Sequence, residues 1–155
     1  MQNFDCVFIK ESFFIANKNY IEMLDYDNSN KQSHRNYIYL AFSFNDNNFF
    51  VPFRTNTPKL NKSGIIFPLP TKTRPYACLD YRKILIINNN DYIIKHINVP
   101  NAQLKTINAN KPKIYKEVEN YINGYIKAVL KNRHLTDPKY KFSTLHNFHK
   151  ELNLV

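Results

Sequence analysis

Residues 36–59 read NYIYLAFSF, then NDNN, then FFVPFRTNTPK, and this succession decides the fold. In the first nine residues, aromatic or β-branched side chains alternate with small or polar ones, which is the pattern of a half-buried strand. Residues 45–48 predict a turn, because Asn and Asp tolerate the left-handed backbone region. Residues 49–53 predict a second, antiparallel strand. The stretch therefore predicts a β-hairpin whose basic exit, residues 54–59, is the expected position of a functional site.

The rest of the chain predicts one α+β domain over residues 1–155, with a strongly bent antiparallel sheet of five or six strands and three surrounding helices. Further strands are expected at residues 4–9, 65–67, 84–87 and 92–95, and the continuous apolar run at 84–87 is typical of a central strand. Helices are expected from Ser12 to about residue 24, over residues 113–131, and over residues 143–152. Asn110 and Pro112 predict the start of the second of these helices.

The composition predicts a folded protein with a polyanionic partner. The sequence contains 43% hydrophobic residues, which excludes a disordered chain. Lys and Arg number 22 against 12 Asp and Glu, giving a net charge of +10. Phosphate contacts gain affinity from the release of counterions, so RNA or DNA is the expected partner. A basic surface that serves only solubility is the alternative.

Localisation is expected to be cytoplasmic, with no membrane contact. No apolar run of about 18 residues exists to span a bilayer, and the N-terminus has no signal-peptide pattern. Cys6 and Cys78 lie in apolar, strand-like contexts, which predicts reduced and buried thiols. Without CxxC spacing they predict no zinc site.

A basic residue precedes the hairpin and another follows it, Arg35 at the entry and Arg54 at the exit. The two ends of an antiparallel pair are neighbours in space. Two guanidinium groups placed there repel each other unless an anion lies between them. This spacing predicts an anion-binding site at the open end of the hairpin.

At the hairpin the sequence resembles the endoribonuclease toxins of type III toxin–antitoxin systems, the ToxN, AbiQ and TenpN types. Their strand, helix, basic loop end and hairpin closing on a Pro-Leu-x-Ser/Thr motif correspond here to residues 4–9, the helix from Ser12, Arg35 and residues 51–56 (VPFRTN). Residues 79–87 (LDYRKILII) resemble the later Leu-Asp-Tyr/Phe-x-Lys step of the TenpN-like branch. The likeness covers roughly residues 4–90.

The resemblance implies a compact, barrel-like sheet related to Kid/MazF-type toxins. It implies cleavage of cellular or phage RNA without metal or cofactor, leaving a 2′,3′-cyclic phosphate, in a role that includes phage defence. It also implies inhibition by a small repeated RNA that folds into pseudoknots and closes hetero-oligomeric rings with the toxin. By the same resemblance, Thr55 matches the motif hydroxyl, Arg35 the basic residue that opens the hairpin, and Lys59 a lysine after the motif, offset by two residues. The family's early tyrosine falls on Phe13 or Phe14, and a shifted alignment gives Tyr20.

Cleavage by the 2′-hydroxyl of RNA needs in-line positioning, proton transfer and neutralisation of charge on the phosphate. Arg35, Arg54 and Lys59 are the candidates for charge neutralisation, and Thr55 for positioning the scissile phosphate. Asn56 is expected to read a base edge or to hold the loop. The alternative for Thr55 and Asn56 is an ordinary turn, where both residue types are common.

Further RNA contacts are expected around this centre. The candidates are basic, polar or aromatic side chains near the hairpin or in the proline-rich segment that follows it: Thr57, Tyr20, His34, Lys62, Lys72 and Arg74. For Tyr20 a place in the core or at its rim is the alternative. His146 and His149 have the spacing of a metal pair, but no third ligand is indicated, so a polar helix face is preferred and no metal site is predicted.

Three functions remain open from the sequence. The first is a metal-independent endoribonuclease toxin inhibited by its cognate RNA. The second is an RNA-binding module without catalysis, which the missing early tyrosine favours. The third is a toxin controlled by a protein antitoxin, as Kid/MazF-type toxins are.

Overall fold

The computed structural model describes residues 1–24, 37–57, 64–95 and 97–155. Within them, seven strands form one antiparallel sheet in the order β4-β5-β3-β2-β1-β7, with β6 pairing to β3 beside this path. The strands are β1 (Cys6–Ile9), β2 (Ile38–Phe44), β3 (Asn47–Arg54), β4 (Ile66–Pro68), β5 (Cys78–Asp80), β6 (Leu85–Ile86) and β7 (Ile93–Ile94). The predicted α+β class and antiparallel sheet are confirmed. The sheet is not closed into a barrel, since β4 and β7 form two separate ends.

The predicted hairpin is the centre of the sheet. β2 and β3 pair over six residues, from Tyr39 opposite Pro52 to Phe44 opposite Asn47. Their turn has two residues, Asn45 and Asp46, with φ of 50° and 62°. Two consecutive residues with positive φ match the right-handed twist of paired strands, and Asn and Asp tolerate this conformation. The turn is therefore shorter than the four residues expected, because Asn47 and Asn48 belong to β3.

Pro52 is accommodated inside this sheet by a gap on the far edge of β3. That edge pairs with β6 at Phe49 and Phe50 and with β5 at Phe53 and Arg54, which leaves residues 51–52 between the two partners. The carbonyl of Asn48 accepts a bond from Ile87 on this edge, and every second residue from Asn48 faces the same way. Proline has no N–H to donate, so its place opposite a gap costs no ladder bond.

The predicted central strand at 84–87 is wrong. Only Leu85–Ile86 is a strand, and it pairs with β3 alone. The cause is a 3-10 turn at Tyr81–Lys83, where the Asp80 carboxylate accepts the backbone N–H of Arg82 at 3.1 Å. This turn redirects the chain between β5 and β6, so the apolar run cannot continue β5.

Three α-helices accompany the sheet in the described residues: α1 (Glu11–Ala16), α2 (Asn101–Ala109) and α3 (Lys111–Leu130). α1 ends earlier than expected, since the Asn17 amide donates to the carbonyl of Phe13 and its backbone N–H to Phe14. Tyr20 therefore lies beyond the helix. α2 falls in a segment expected to be a loop; it is mostly polar and buries only Gln103 and Ile107.

α3 confirms the predicted long helix, with Pro112 in its first turn. Asn110 precedes it but does not cap it, because its side-chain amide donates to the carbonyl of Thr106 in α2. The expected C-terminal helix is instead a 3-10 turn, Thr144–Asn147, followed by further turns. Phe148 is buried in this segment, whereas Phe142 is 48% exposed.

The core lies between the sheet and one face of α3. The buried side chains of α3 share this face: Ile114, Val118, Tyr121, Ile122, Tyr125 and Ala128. Both cysteines are free; Cys78 is buried as predicted, whereas Cys6 is only half-buried. Burial raises the pKa of each thiol to about 11. They are therefore protonated, unreactive thiols. In the described part of the chain, every helix is too short or too polar to cross a membrane.

Candidate functional site

The end of β3 carries an ion-pair network centred on Asp80, which is fully buried. The guanidinium of Arg54 donates to Asp80 Oδ2 at 2.9 Å. Arg82 donates to the same carboxylate twice, from Nε to Oδ1 at 3.0 Å and from Nη2 to Oδ2 at 2.8 Å. Burial alone would raise the pKa of Asp80, but the hydrogen bonds and charges of Arg82 and Arg54 hold it below its ordinary value.

Asp80 is the anion that joins two guanidinium groups here, and the second group belongs to Arg82. The predicted partner, Arg35, lies outside the described residues. Two cations on one carboxylate leave a net charge of +1, and Arg54 keeps 25% of its side chain exposed. The Arg54 guanidinium is therefore fixed by one N–H while it remains accessible to an anionic ligand.

A cavity of about 300 Å³ adjoins Arg54. It brings together three residues predicted to contact RNA or to catalyse its cleavage: Arg54, Thr55 and Arg74. Tyr37, just before β2, and Gln103 of α2 also line it. The amide of Gln103 donates to the carbonyl of Leu69 at 3.0 Å, and this bond fixes α2 against the loop that carries Arg74.

Arg74 is presented by a tight turn between β4 and β5. Thr71 and Arg74 exchange two backbone hydrogen bonds, of 3.0 and 3.2 Å, and the Thr71 hydroxyl also accepts the N–H of Arg74. The side chains of Lys72 and Arg74 are both exposed. The proline-rich segment thus forms a hydrogen-bonded turn that places Arg74 in the cavity lining, with Lys72 two residues before it.

The residues after Arg54 divide between surface and interior. Thr55 and Asn56 are exposed, so Thr55 is available to a ligand in the cavity. Thr57, another predicted RNA contact, is buried, and its hydroxyl donates to the carbonyl of Tyr76 at 3.0 Å, so its side chain does not face solvent. Its hydroxyl also accepts the Cys78 thiol at 3.6 Å, which ties the exit of β3 to β5.

Four predicted site residues, His34, Arg35, Lys59 and Lys62, lie outside the described residues. Tyr20 is half-buried, with its ring edge-on to Phe13 at 6.3 Å and to Phe148 at 5.3 Å. Burial, together with Glu151 and Tyr92, raises the pKa of its hydroxyl. Tyr20 is thus a rim residue of the core, as the alternative reading had it, and it does not line the cavity. Phe13 and Phe14 are core residues.

Sequence reasoning assigned no role to Asp80, Arg82 or Lys83, although it noted their segment. Lys83 is largely buried, and its ammonium donates to the carbonyls of Glu22 and Phe142 at 2.6 and 2.8 Å. Burial lowers its pKa to about 8, against the opposing charges of Asp80 and Glu22. The signal was three charged residues among the four at 80–83, directly before an apolar segment, which is unusual where the chain is buried.

The expectation that the histidines form no cluster is also corrected. One ring nitrogen of each of His134, His146 and His149 lies within 4.8 Å of the others. Tyr125 of α3 joins them, its hydroxyl oxygen lying 2.7 Å from His146 Nδ1 and 2.7 Å from His149 Nε2. The third member, His134, is distant in sequence from the pair, so spacing alone could not indicate it.

Chemically, the cavity combines two guanidinium groups, an exposed hydroxyl and a carboxamide. Such donors fit a phosphodiester, since Arg presents N–H groups that match phosphate oxygens and the hydroxyl fixes its orientation. The walls are supplied by paired strands and by a turn held by three hydrogen bonds between Thr71 and Arg74, which favours a preformed site.

Comparisons with known proteins bear on the fold. No protein-family model matches the sequence, and no curated protein matches it. The structure is similar to a solved structure described as showing, for bacterial type III toxin–antitoxin systems, selective toxin inhibition by a non-coding RNA pseudoknot. The match covers 98% of this chain and 99% of the other, with a TM-score of 0.63 and 14% sequence identity. The chain therefore shares its fold with a protein of a type III toxin–antitoxin system, as its sequence resemblance predicted.

Proposed function

We propose that this protein is the toxin of a type III toxin–antitoxin system and acts as a metal-independent endoribonuclease. The observation that carries the proposal is the cavity at the end of β3, where Arg54, Thr55 and Arg74 converge. The net charge of +10 and the shared fold support it. Its cellular or phage RNA substrate lies in the cytoplasm.

In the proposed reaction, the 2′-hydroxyl of the RNA gives up its proton and attacks the adjacent phosphorus. The bond from phosphorus to the 5′-oxygen breaks and that oxygen takes up a proton, which leaves a 2′,3′-cyclic phosphate and a free 5′-hydroxyl. Arg54 and Arg74 neutralise the charge that builds up on the phosphate oxygens. Thr55 orients the phosphate through its hydroxyl, so that attacking and leaving oxygens are in line. Asp80 acts through Arg54, which it holds in place. Arg35 and Lys59 remain proposed contributors of positive charge.

The proposed inhibitor is a small repeated RNA that folds into pseudoknots and fills the same cavity. The pseudoknot in the similar solved structure supports an RNA rather than a protein antitoxin. A closed ring of alternating protein and RNA is the proposed assembly. Inhibition by an RNA fits the cavity's chemistry, because substrate and inhibitor then present the same phosphates to Arg54 and Arg74.

The proposal predicts RNA cleavage in the presence of EDTA. Purified protein incubated with single-stranded RNA in excess EDTA should produce fragments that end in a 2′,3′-cyclic phosphate, detected by mass spectrometry. Thr55→Ala should lower the single-turnover rate about a hundredfold, the order seen when one such positioning donor is lost. Thr55→Ser, which keeps the hydroxyl, is the matched control and should retain most of the rate.

Arg54→Gln should lower the same rate while leaving the protein folded, because Arg82 still pairs with Asp80 through two bonds. Circular dichroism checks the fold. Intact RNA after prolonged incubation with folded wild-type protein would contradict the proposal, as would an unchanged rate in Thr55→Ala.

A second candidate is an RNA-binding module without catalysis. Phe13 and Phe14, which stand at the early tyrosine position, are buried core residues with no hydroxyl to offer. Tyr20 packs edge-on to Phe13 and is outside the cavity. Expression of the chain alone separates the candidates. An active toxin arrests growth, and Thr55→Ala relieves the arrest. For a binding module without catalysis, Thr55→Ala and wild type affect growth equally.

A further inference from the structure

Three histidine rings and one tyrosine converge beside the C-terminal end of α3, away from the cavity lining. The ring centroid of His134 lies 5.7 Å from that of His146 and 5.6 Å from that of His149. Tyr125 lies 5.5 to 6.1 Å from the three rings, centroid to centroid. All three histidines are half-buried.

The fold builds this cluster from two separate turns. After α3, Asn132 adopts a φ of 54° and the N–H of Arg133 donates to the carbonyl of Ala128 at 2.8 Å. Such a left-handed helix cap reverses the chain and returns His134 towards Tyr125. The 3-10 turn Thr144–Asn147 supplies His146, and the next turn supplies His149.

The hydrogen bonds of His146 indicate which of its ring nitrogens carries a lone pair. His146 Nε2 lies 3.1 Å from the carbonyl of Lys141, which accepts only from a protonated nitrogen. Nδ1 of His146 is then unprotonated and faces the Tyr125 hydroxyl. A backbone carbonyl that holds the distal N–H of a histidine is the usual outer support of a metal ligand.

His134 supplies the second observation. Its Nδ1 is buried and has no hydrogen-bond partner, in the part of the chain that the structure describes. An unsatisfied buried polar nitrogen costs free energy, which a ligand bound to it would recover. The Tyr125 hydroxyl contacts the other two histidines and makes no hydrogen bond with His134 Nδ1.

We propose that His134, His146 and His149 form a binding site for a divalent transition-metal ion, Zn²⁺ in the first instance. Three neutral imidazoles are a ligand set of zinc, with a water or further oxygen as the fourth ligand. Zinc–nitrogen bonds of about 2.0–2.1 Å place tetrahedral ligand atoms about 3.4 Å apart. The three histidine nitrogens already lie within 4.8 Å of one another, so small side-chain movements would bring them to this spacing.

The site would fasten the C-terminal turns and the 131–140 segment to α3. The proposed metal site takes no part in RNA cleavage, so it is independent of the proposed function. Because imidazole ligands suit several ions, Cu²⁺ and Ni²⁺ compete with Zn²⁺ for such a site, and the choice depends on geometry and supply.

The test uses the full chain, stripped of metal with EDTA, freed of the chelator and titrated with Zn²⁺. One zinc per chain is expected by isothermal titration, together with a rise in melting temperature. Titration with Co²⁺ should give the intense visible absorption of a tetrahedral ion. Two results together would overturn the proposal. One is weak cobalt absorption of the octahedral type, and the other is zinc binding to wild type no tighter than to the triple variant His134→Ala/His146→Ala/His149→Ala.

Single variants locate the site. His134→Ala should weaken zinc binding at least tenfold, and its folding is checked by circular dichroism. Lys150→Ala, an exposed change next to His149, is the matched control and should bind like wild type. Equal affinities in wild type and folded His134→Ala would contradict the assignment. If His134→Ala fails to fold, the cobalt spectrum of the wild-type protein tests the site instead. Tetrahedral absorption supports the site and octahedral absorption contradicts it. RNA cleavage plays no part in these readouts.

Discussion

At the scale of single residues, Asp80 governs the chemistry of the site. A buried carboxylate is stable only when it is paired, and here Arg54 and Arg82 supply that pairing. Arg54 is held at the cavity by a fully buried carboxylate at the end of β5, so the position of this cation depends on that strand end and not on the hairpin alone.

Lys83 offers a pH test at the same scale. Its pKa is about 8 in the folded protein, against an ordinary value of 10.5. Below pH 8 both states carry the proton, and the cost of burying the ammonium is fully present. Between pH 8 and 10.5 only the unfolded state holds the proton, so stability rises with pH in this window.

The prediction compares wild type with Lys83→Met by urea unfolding at pH 7 and pH 10. The free energy of unfolding of wild type, taken relative to that of Lys83→Met, should increase by roughly 2 kcal/mol from pH 7 to pH 10. The exposed Lys150, changed to Met, is the control, since its ammonium remains in water in both states. A difference that stays constant with pH would show that Lys83 is charged throughout.

At the scale of elements, α3 packs closely against the chain that follows it. Gly124 faces Tyr140, and a Cβ added at Gly124 would overlap the Tyr140 hydroxyl oxygen, while the ring carbon Cζ would lie at 3.2 Å. The hydroxyl is the end of a rigid ring that also packs on Tyr121 and Tyr125. The glycine is therefore required by packing and not by backbone conformation.

Gly124→Ala should destabilise the protein by roughly 1 kcal/mol or more, although alanine favours a helix by about that amount. In a Tyr140→Phe background the clash is relieved, and the same change should become neutral or stabilising. Thermal unfolding of the four proteins gives the coupling energy. Asn123→Ala, exposed on the same turn, should be stabilising in both backgrounds, and a Gly124→Ala that behaves like it would refute the packing argument.

At the scale of the whole molecule, the net charge of +10 attracts polyanions. Under the proposed function, the cavity at β3 holds the RNA backbone, and about three phosphate contacts in the described residues are assigned to Arg54, Arg74 and Lys72.

RNA affinity should therefore fall steeply with salt. For a non-cleavable 2′-O-methyl RNA, a plot of log K against log salt should have a slope of about −2 or steeper. Each phosphate contact to single-stranded RNA contributes about −0.7 to this slope. Arg74→Gln should reduce the slope by about one contact, whereas Lys150→Gln should leave it nearly unchanged. Fluorescence anisotropy over a salt series measures both. An unaltered slope in Arg74→Gln would place the RNA elsewhere.

The sequence by itself determined the features that depend on neighbours along the chain. Alternating side chains with an Asn-Asp turn specify the β2–β3 hairpin, and the apolar stripe with Pro112 specifies α3. The same reasoning failed for α2, whose polar sequence NAQLKTINA has little periodicity and is held by contacts such as Gln103 with Leu69. It also failed at residues 84–87, where a capped 3-10 turn interrupts the apolar run.

Only the tertiary structure decided which distant groups meet. Arg54 and Asp80 are 26 positions apart, and their pairing depends on the register of β3 with β5. His134 joins His149 only because a left-handed cap turns the chain after α3. Local pattern fixes the elements because hydrogen bonds and side-chain period act over a few residues. The partners of buried charges are fixed by how those elements pack, since a buried charge is stable only where folding brings its counter-charge.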